Sequence, residues 1–234
     1  MSEMVKLEYL NKDYSGFQAL RNVNLSLDKG KIIGLLGPNG SGKTTLIKIL
    51  TGMTLQYTGS VSVNGRKLDN DSKAVIAYLP DQLYFDRWMR IKDLEKYYED
   101  MFSNFNKRKF RELIQKFRIE DRVFVRKLSK GNQEKLQLAL VLAREAQLYI
   151  FDEPIGGVDP ALRQIILDTI MEYRNTDATV ILSTHQIYDV EDLFDEVIFL
   201  KDGEVYLHRN TKELLEEKQT TLLELFKEVF KYAH

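Results

Sequence analysis

The sequence predicts an α/β protein. A mixed, largely parallel core sheet is joined by an antiparallel β subdomain near the N-terminus and by an inserted α-helical subdomain. Three observations predict it. A short apolar run, Lys31-Ile32-Ile33-Gly34-Leu35-Leu36, leads into a glycine-rich turn and then into a helical run that closes at Gly52. From Ile91 to Arg126 there is neither glycine nor proline, and apolar residues recur at helical spacing. Beyond residue 147, apolar strands alternate with helical segments, the pattern of a parallel sheet.

The elements follow in order. Residues 4–9 and 23–27 alternate apolar and polar, which reads as two half-exposed antiparallel strands. Asp28-Lys29-Gly30 turns the chain into the buried strand at 31–36. Asn64-Gly65 after Ser60–Val63 is a hairpin signal. Ala74 to Leu79 reads as a strand stopped by Pro80. Leu94, Tyr97, Tyr98 and Met101, then Phe110, Leu113, Ile114 and Phe117, place two or three helices in the insertion. Its many lysines and arginines fit a solvated helix face, or proximity to an anionic membrane leaflet. Asn132 to Ala146 is apolar nearly all round its middle, so that helix is buried. Strands at 148–151, 179–183 and 197–200 alternate with helices at 161–173 and 186–194. A hairpin at Lys201–Glu204 and two C-terminal helices follow.

Composition narrows the function. The 234 residues carry a net charge of −1, so no global basic surface points to nucleic acid. Cysteine is absent, which excludes disulfides and thiolate-held metals. No window reaches the roughly 18 apolar residues that a membrane span needs, and no signal peptide is expected over Met1–Lys12. Any membrane role would come through a partner.

The chemistry concentrates at strand ends. Gly37-Pro38-Asn39-Gly40-Ser41-Gly42-Lys43-Thr44-Thr45 is a phosphate-binding turn between strand and helix. Its glycines let backbone N–H groups converge on an anion, and the following helix adds its positive end. Lys43 would reach the outer phosphates and the Thr44 hydroxyl would ligate Mg²⁺. Asp152 and Glu153 end an apolar strand about 110 residues beyond that turn. Asp152 is placed to hold Mg²⁺, and Glu153 to polarise an attacking water. His185 ends a further strand of the same sheet, where open α/β folds bind ligands. Leu128-Ser129-Lys130-Gly131-Asn132 opens the buried helix and reads either as a plain N-cap or as an anion site.

From about residue 4 to 210 these motifs resemble the ATP-binding cassette family, the ATPase subunits of ABC transporters. They stand in family order and at family spacing. The resemblance makes Gly37 to Thr44 the Walker A motif and Tyr149 to Asp152 the end of Walker B. It makes Glu153 the catalytic glutamate, His185 the switch histidine and Tyr14 the aromatic that stacks on adenine. Three departures stand out. The family's LSGGQ signature is Leu128-Ser129-Lys130-Gly131-Asn132, so the first glycine is a lysine. Asp81 occupies the usual place of the Q-loop glutamine and Gln82 comes one later; either could ligate Mg²⁺. After Walker B, Ile155-Gly156-Gly157-Val158 precedes Asp159, the D-loop aspartate. These variants resemble small bacterial export-type subunits.

The resemblance implies one cassette. Its nucleotide-binding core with the β subdomain would span about 1–87 and 147–210, its helical subdomain and signature helix 88–146, and its C-terminal helices 211–234. It also implies two ATP held in a head-to-tail dimer, with a second protomer's serine–glycine segment completing each site. The dimer would be a homodimer or a heterodimer with a paralogous ATPase. A separate transmembrane permease would carry the cargo and hold this chain at the cytoplasmic face of the membrane. The competing readings are a soluble cassette acting on ribosomes or nucleic acid, a P-loop kinase and a regulatory cassette without turnover. A kinase would not need Ser129–Gly131 or His185, and intact Glu153 and His185 argue against the regulatory reading.

Overall fold

The computed structural model describes residues 3–231. Two sheets frame it. The first is antiparallel, in the order β2-β1-β4-β5, from β1 (Glu3–Tyr14), β2 (Phe17–Asp28), β4 (Thr58–Val63) and β5 (Arg66–Lys67). The second has six strands in the order β10-β9-β3-β8-β7-β6. Its central strand β3 (Ile32–Leu36) pairs in parallel with β8 (Thr179–Thr184) and β9 (Glu196–Lys201). β7 (Leu148–Asp152) pairs in parallel with β8 and with β6 (Ile76–Leu79). Only β10 (Glu204–Asn210) runs antiparallel, so the sheet is mixed as expected.

Strand alternation divides the core in two. Ile33, Leu35, Leu148 and Ile150 pack with helix α1 (Lys43–Leu50) and the antiparallel sheet. Leu36, Tyr149 and Phe151 face the other helices. These are α3 (Ile91–Met101), α4 (Lys107–Lys116), α5 (Lys130–Leu142), α6 (Pro160–Tyr173), α7 (Thr211–Lys218) and α8 (Leu222–Phe230). No helix among the described residues is long and apolar enough to cross a membrane.

Three local expectations are corrected. Residues 186–194 form no α-helix. The chain turns there, with a 3₁₀ segment at Glu191–Leu193. Ile187, Val190 and Phe194 keep helical spacing and are buried, but a turn satisfies that spacing. The Gln186 N–H donates to the Thr184 hydroxyl at 2.9 Å, and the Phe194 ring lies where a Cβ on Gly34 would be, 2.7 Å away. The buried helix starts two residues earlier than expected and ends at Leu142. Arg144 leaves it to donate to the carbonyls of Ile76 (2.6 Å) and Ala74 (2.8 Å). Finally, the strand expected from Ala74 begins at Ile76, because α2 (Asn70–Ala74) precedes it. A reciprocal cap starts α2: Asp69 accepts from the Ser72 N–H, and the Ser72 hydroxyl accepts from the Asp69 N–H, both at 2.7 Å.

Candidate active site

β3, β7 and β8 end side by side, which brings together three of the stretches singled out in the sequence. The turn after β3 leads into α1 through Gly42, whose backbone is left-handed at φ 106°. A Cβ at Gly42 would lie 2.8 Å from the Ala19 carbonyl, so only glycine lets β2 seat against this turn. Backbone bonds tie the same parts together. The Arg21 N–H donates to the Gly203 carbonyl at 2.8 Å, and the Gly203 N–H donates to the Ser41 carbonyl at 3.1 Å.

Beside this turn lies a cleft of about 280 Å³. It is lined by Tyr14, Phe17 and Ala19, by Asn39, Gly40, Gly42, Lys43, Thr44 and Thr45 of the turn itself, and by Asp81 and Glu153. Gly37, Pro38 and Ser41 complete the turn behind them. The Ser41 hydroxyl is buried without a partner.

Lys43 is only 6% exposed. Its ammonium donates to the carbonyls of Gly37 at 2.7 Å and Pro38 at 3.1 Å, and stands 3.8 Å from Glu153 Oε1. Burial pushes its pKa below the usual lysine value, against the raising influence of Glu153 and Asp152. Lys43 therefore closes the loop on itself with bonds that an anion would replace.

Asp152, at the end of β7, is 1% exposed. Its Oδ1 accepts from the Ser183 hydroxyl at 2.5 Å, and its Oδ2 is buried without a partner. Burial raises its pKa, the neighbouring carboxylates Asp81 and Glu153 add to the rise, and bonds from Ser183 and Thr44 oppose it. The Asp152 carboxylate, in contact with the Thr44 hydroxyl and with Oδ2 otherwise buried and unpartnered, offers hard oxygen ligands suited to a small divalent cation. Among the described residues no cluster of three or more His, Cys, Asp or Glu side chains could cage a metal, so such a cation would take its other ligands from phosphate and water.

Glu153 follows in a left-handed backbone, φ 49°. Its N–H donates to both the carbonyl and the hydroxyl of Ser183, each at 3.1 Å. Its Oε2 lies 3.0 Å from His185 Nδ1, while Oε1 is buried without a hydrogen bond. One oxygen is thus oriented by a histidine, and the other makes no hydrogen bond and faces the Lys43 ammonium at 3.8 Å, an arrangement suited to a general base once an anion takes over Lys43.

The remaining expected residues fall elsewhere. Gln82 does not border the cleft but borders two neighbouring hollows, whereas Asp81 borders the cleft and one of those hollows. Ser129, Lys130, Gly131 and Asn132 are absent from the cleft lining. Ser129 caps α5, accepting from the Asn132 N–H at 3.3 Å. Lys130 donates to the Gly157 carbonyl at 3.3 Å and sits 3.7 Å from Glu134. Asp159 caps α6, accepting from the Leu162 N–H at 3.0 Å. Sequence reasoning missed Phe17 and Ser183. The strand pattern of the Tyr14–Phe17 hairpin could have revealed Phe17, but Ser183 carries no signal apart from its neighbours in space.

The chain is similar to several known proteins. Residues 20–156 match the family described as ABC transporter. An uncharacterized ABC transporter ATP-binding protein of Methanocaldococcus jannaschii is 34% identical over 87% of this chain and 76% of its own. A lantibiotic transport ATP-binding protein of Streptococcus pyogenes is 30% identical over 92% of this chain and 95% of its own. A solved ATP-binding subunit of an ABC transporter superposes with a TM-score of 0.85 at 26% identity, covering 96% of this chain and 98% of that one. An ATP-binding cassette solved as a dimer in a post-hydrolysis state, bound to ADP and phosphate, gives a TM-score of 0.76 at 25% identity, covering 89% and 99%.

Proposed function

Because this chain belongs to the ABC transporter family of ATP-binding proteins, we propose that it is the ATP-hydrolysing motor of a multi-component transporter. It would close on a second cassette around ATP and drive a separate membrane-spanning subunit. One observation carries the hydrolytic reading: Glu153 is held by His185 at 3.0 Å, with its other oxygen making no hydrogen bond and lying 3.8 Å from Lys43 of the phosphate turn.

In this reading the triphosphate displaces the Gly37 and Pro38 carbonyls from Lys43, which then binds the outer phosphates. Thr44 and Asp152 would hold Mg²⁺, and the place of Asp81 in the cleft supports it over Gln82 as the loop ligand. Magnesium, when bound, neutralises charge on the phosphate oxygens. Water attacks the γ-phosphorus as the bond to the β–γ bridging oxygen breaks, leaving ADP and inorganic phosphate. Glu153 accepts the proton of that water, and His185 fixes the carboxylate and contacts the γ-phosphate. Tyr14 would stack on the adenine.

Half of the site is missing from one chain. Ser129, Lys130, Gly131 and Asn132 lie off the cleft, which supports their acting on a second protomer's nucleotide, as does the dimeric relative bound to ADP and phosphate. Asp159 would serve at the same interface. An apolar hollow of about 440 Å³, bordered by Met53, Leu83, Tyr84, Tyr98 and Phe102, lies beside Asp81's loop and supports this face as the seat of the membrane subunit. Through that subunit the chain would sit at the cytoplasmic face of the membrane. Likeness to the lantibiotic transport protein supports export of a peptide or drug.

The test is Glu153→Gln. It should bind ATP normally and hydrolyse it at least about 100-fold more slowly. Undiminished turnover would remove Glu153 from the role.

A further inference from the structure

Lys12 is a buried cation that the hydrolytic site does not use. It lies on β1, two residues before Tyr14, and is 5% exposed. Its ammonium donates to the Asp13 carbonyl at 2.7 Å and stands 4.2 Å from the centroid of the Tyr14 ring. No carboxylate among the described residues pairs with it. The neighbours of that ammonium are thus a backbone carbonyl and an aromatic face.

Tyr14 is therefore occupied on one face. The residue as a whole remains 41% exposed and borders the phosphate cleft together with Phe17, which is 63% exposed. The hairpin that carries both aromatics is fixed. Asp13 accepts from the Gly16 N–H at 2.9 Å across its tip, and Tyr14 pairs with Phe17 in register. Farther along, Ala19 meets Gly42, and the Arg21–Gly203–Ser41 backbone bonds hold β2 to the phosphate turn. The position of the hairpin relative to the glycine turn is thus set by backbone, and the Lys12 ammonium lies against one face of the Tyr14 ring.

We propose that Lys12 is the positioning residue of the base site: its ammonium backs the Tyr14 ring so that the opposite face receives the purine of a nucleoside triphosphate, with Phe17 as the second wall. The inference rests on the nucleotide-site reading given above. A cation on one face draws electron density through the ring, which strengthens stacking of an electron-rich base on the other. It also holds the ring in one orientation, so that less freedom is lost when the base arrives. Lys12 touches neither substrate nor phosphate; it acts through Tyr14.

The experiment compares two ligands on the full chain, Mg-ATP and inorganic tripolyphosphate with magnesium, by equilibrium titration. Lys12→Met should weaken ATP about fivefold, the scale of a desolvated cation–ring contact, and leave tripolyphosphate unchanged. Lys12→Arg should restore the ratio of the two affinities. Lys12→Gln, which keeps a donor for the Asp13 carbonyl and deletes the charge, serves if the methionine variant does not fold, and should behave as Lys12→Met. In a Tyr14→Leu background, removing the charge should have no further effect on ATP. Equal weakening of both ligands would make Lys12 merely structural and overturn the proposal, as would unchanged ATP affinity. If the unaltered chain bound neither ligand, the nucleotide-site reading itself would fall, a result distinct from failure of the Lys12 role.

Discussion

Asp152 and Lys43 are buried ionisable groups, and each has its pKa moved by that burial. The Asp152 carboxyl has its pKa raised by burial, so its ionised form is penalised in the folded state. A carboxyl with a raised folded pKa favours folding below its unfolded value, and that contribution is lost as pH rises through the folded value. Asp152→Asn should therefore raise the melting temperature of the nucleotide-free chain at pH 7 by about 3 °C, an advantage that disappears near pH 4 or below. The same variant should lose magnesium-dependent hydrolysis. Thermal melts across pH, set beside an ATPase assay, check both halves. Lys43 has the opposite sign. Burial lowers its pKa, so apo stability from this group rises with pH through the lowered value. A bound triphosphate restores the proton. ATP binding in alkaline buffer should take up a proton, and calorimetry in buffers of different ionisation enthalpy should show it. Lys43→Ala should weaken ATP roughly 100-fold, the loss of a desolvated charge-assisted contact. Both residues were legible in the sequence because each stands at a fixed place in a motif. Lys12 was not, since a lysine in an alternating strand reads as solvent-facing and only the folded hairpin buries it.

At the scale of elements, α5 does more than cover the sheet. Gln137, midway along it and buried, donates to the carbonyls of Pro80 at 2.9 Å and Gln82 at 3.3 Å, and so pins the loop that carries Asp81. Gln133 does likewise for the approach to the helix, donating to Leu128 at 3.0 Å. Gln137→Leu should cost about 1–2 kcal/mol, a fall in melting temperature of roughly 2–6 °C. Hydrogen exchange should speed up at residues 80–85 ahead of the rest of the sheet. The element pattern shows where sequence reading succeeds. Long periodic runs gave α3, α4, α5 and α6, and the Asn64-Gly65 turn gave the β4–β5 hairpin, where both turn residues have positive φ. Reading failed where spacing and conformation part company. Ile187, Val190 and Phe194 are buried at helical intervals on a chain that turns, and α2 is held by a local cap rather than by any apolar stripe.

For the whole molecule, the decisive expectation concerns assembly. Ser129 and Asn132 lie off the cleft that Lys43 and Glu153 border, and in the proposed reading a second chain completes the site. If a shared γ-phosphate joins the halves as proposed, Glu153→Gln with Mg-ATP should elute as a dimer on gel filtration, and with ADP as a monomer. A monomer under both conditions would overturn the two-chain site. The backbone ladder from Arg21 through Gly203 to Ser41 has a consequence for that assembly. It makes the distance between the aromatic hairpin and the glycine turn a property of main chain, beyond the reach of side-chain drift. The cleft is in effect a caliper with a fixed gap: substitutions can loosen either jaw, but a nucleotide too short to span the opening must let go of one end.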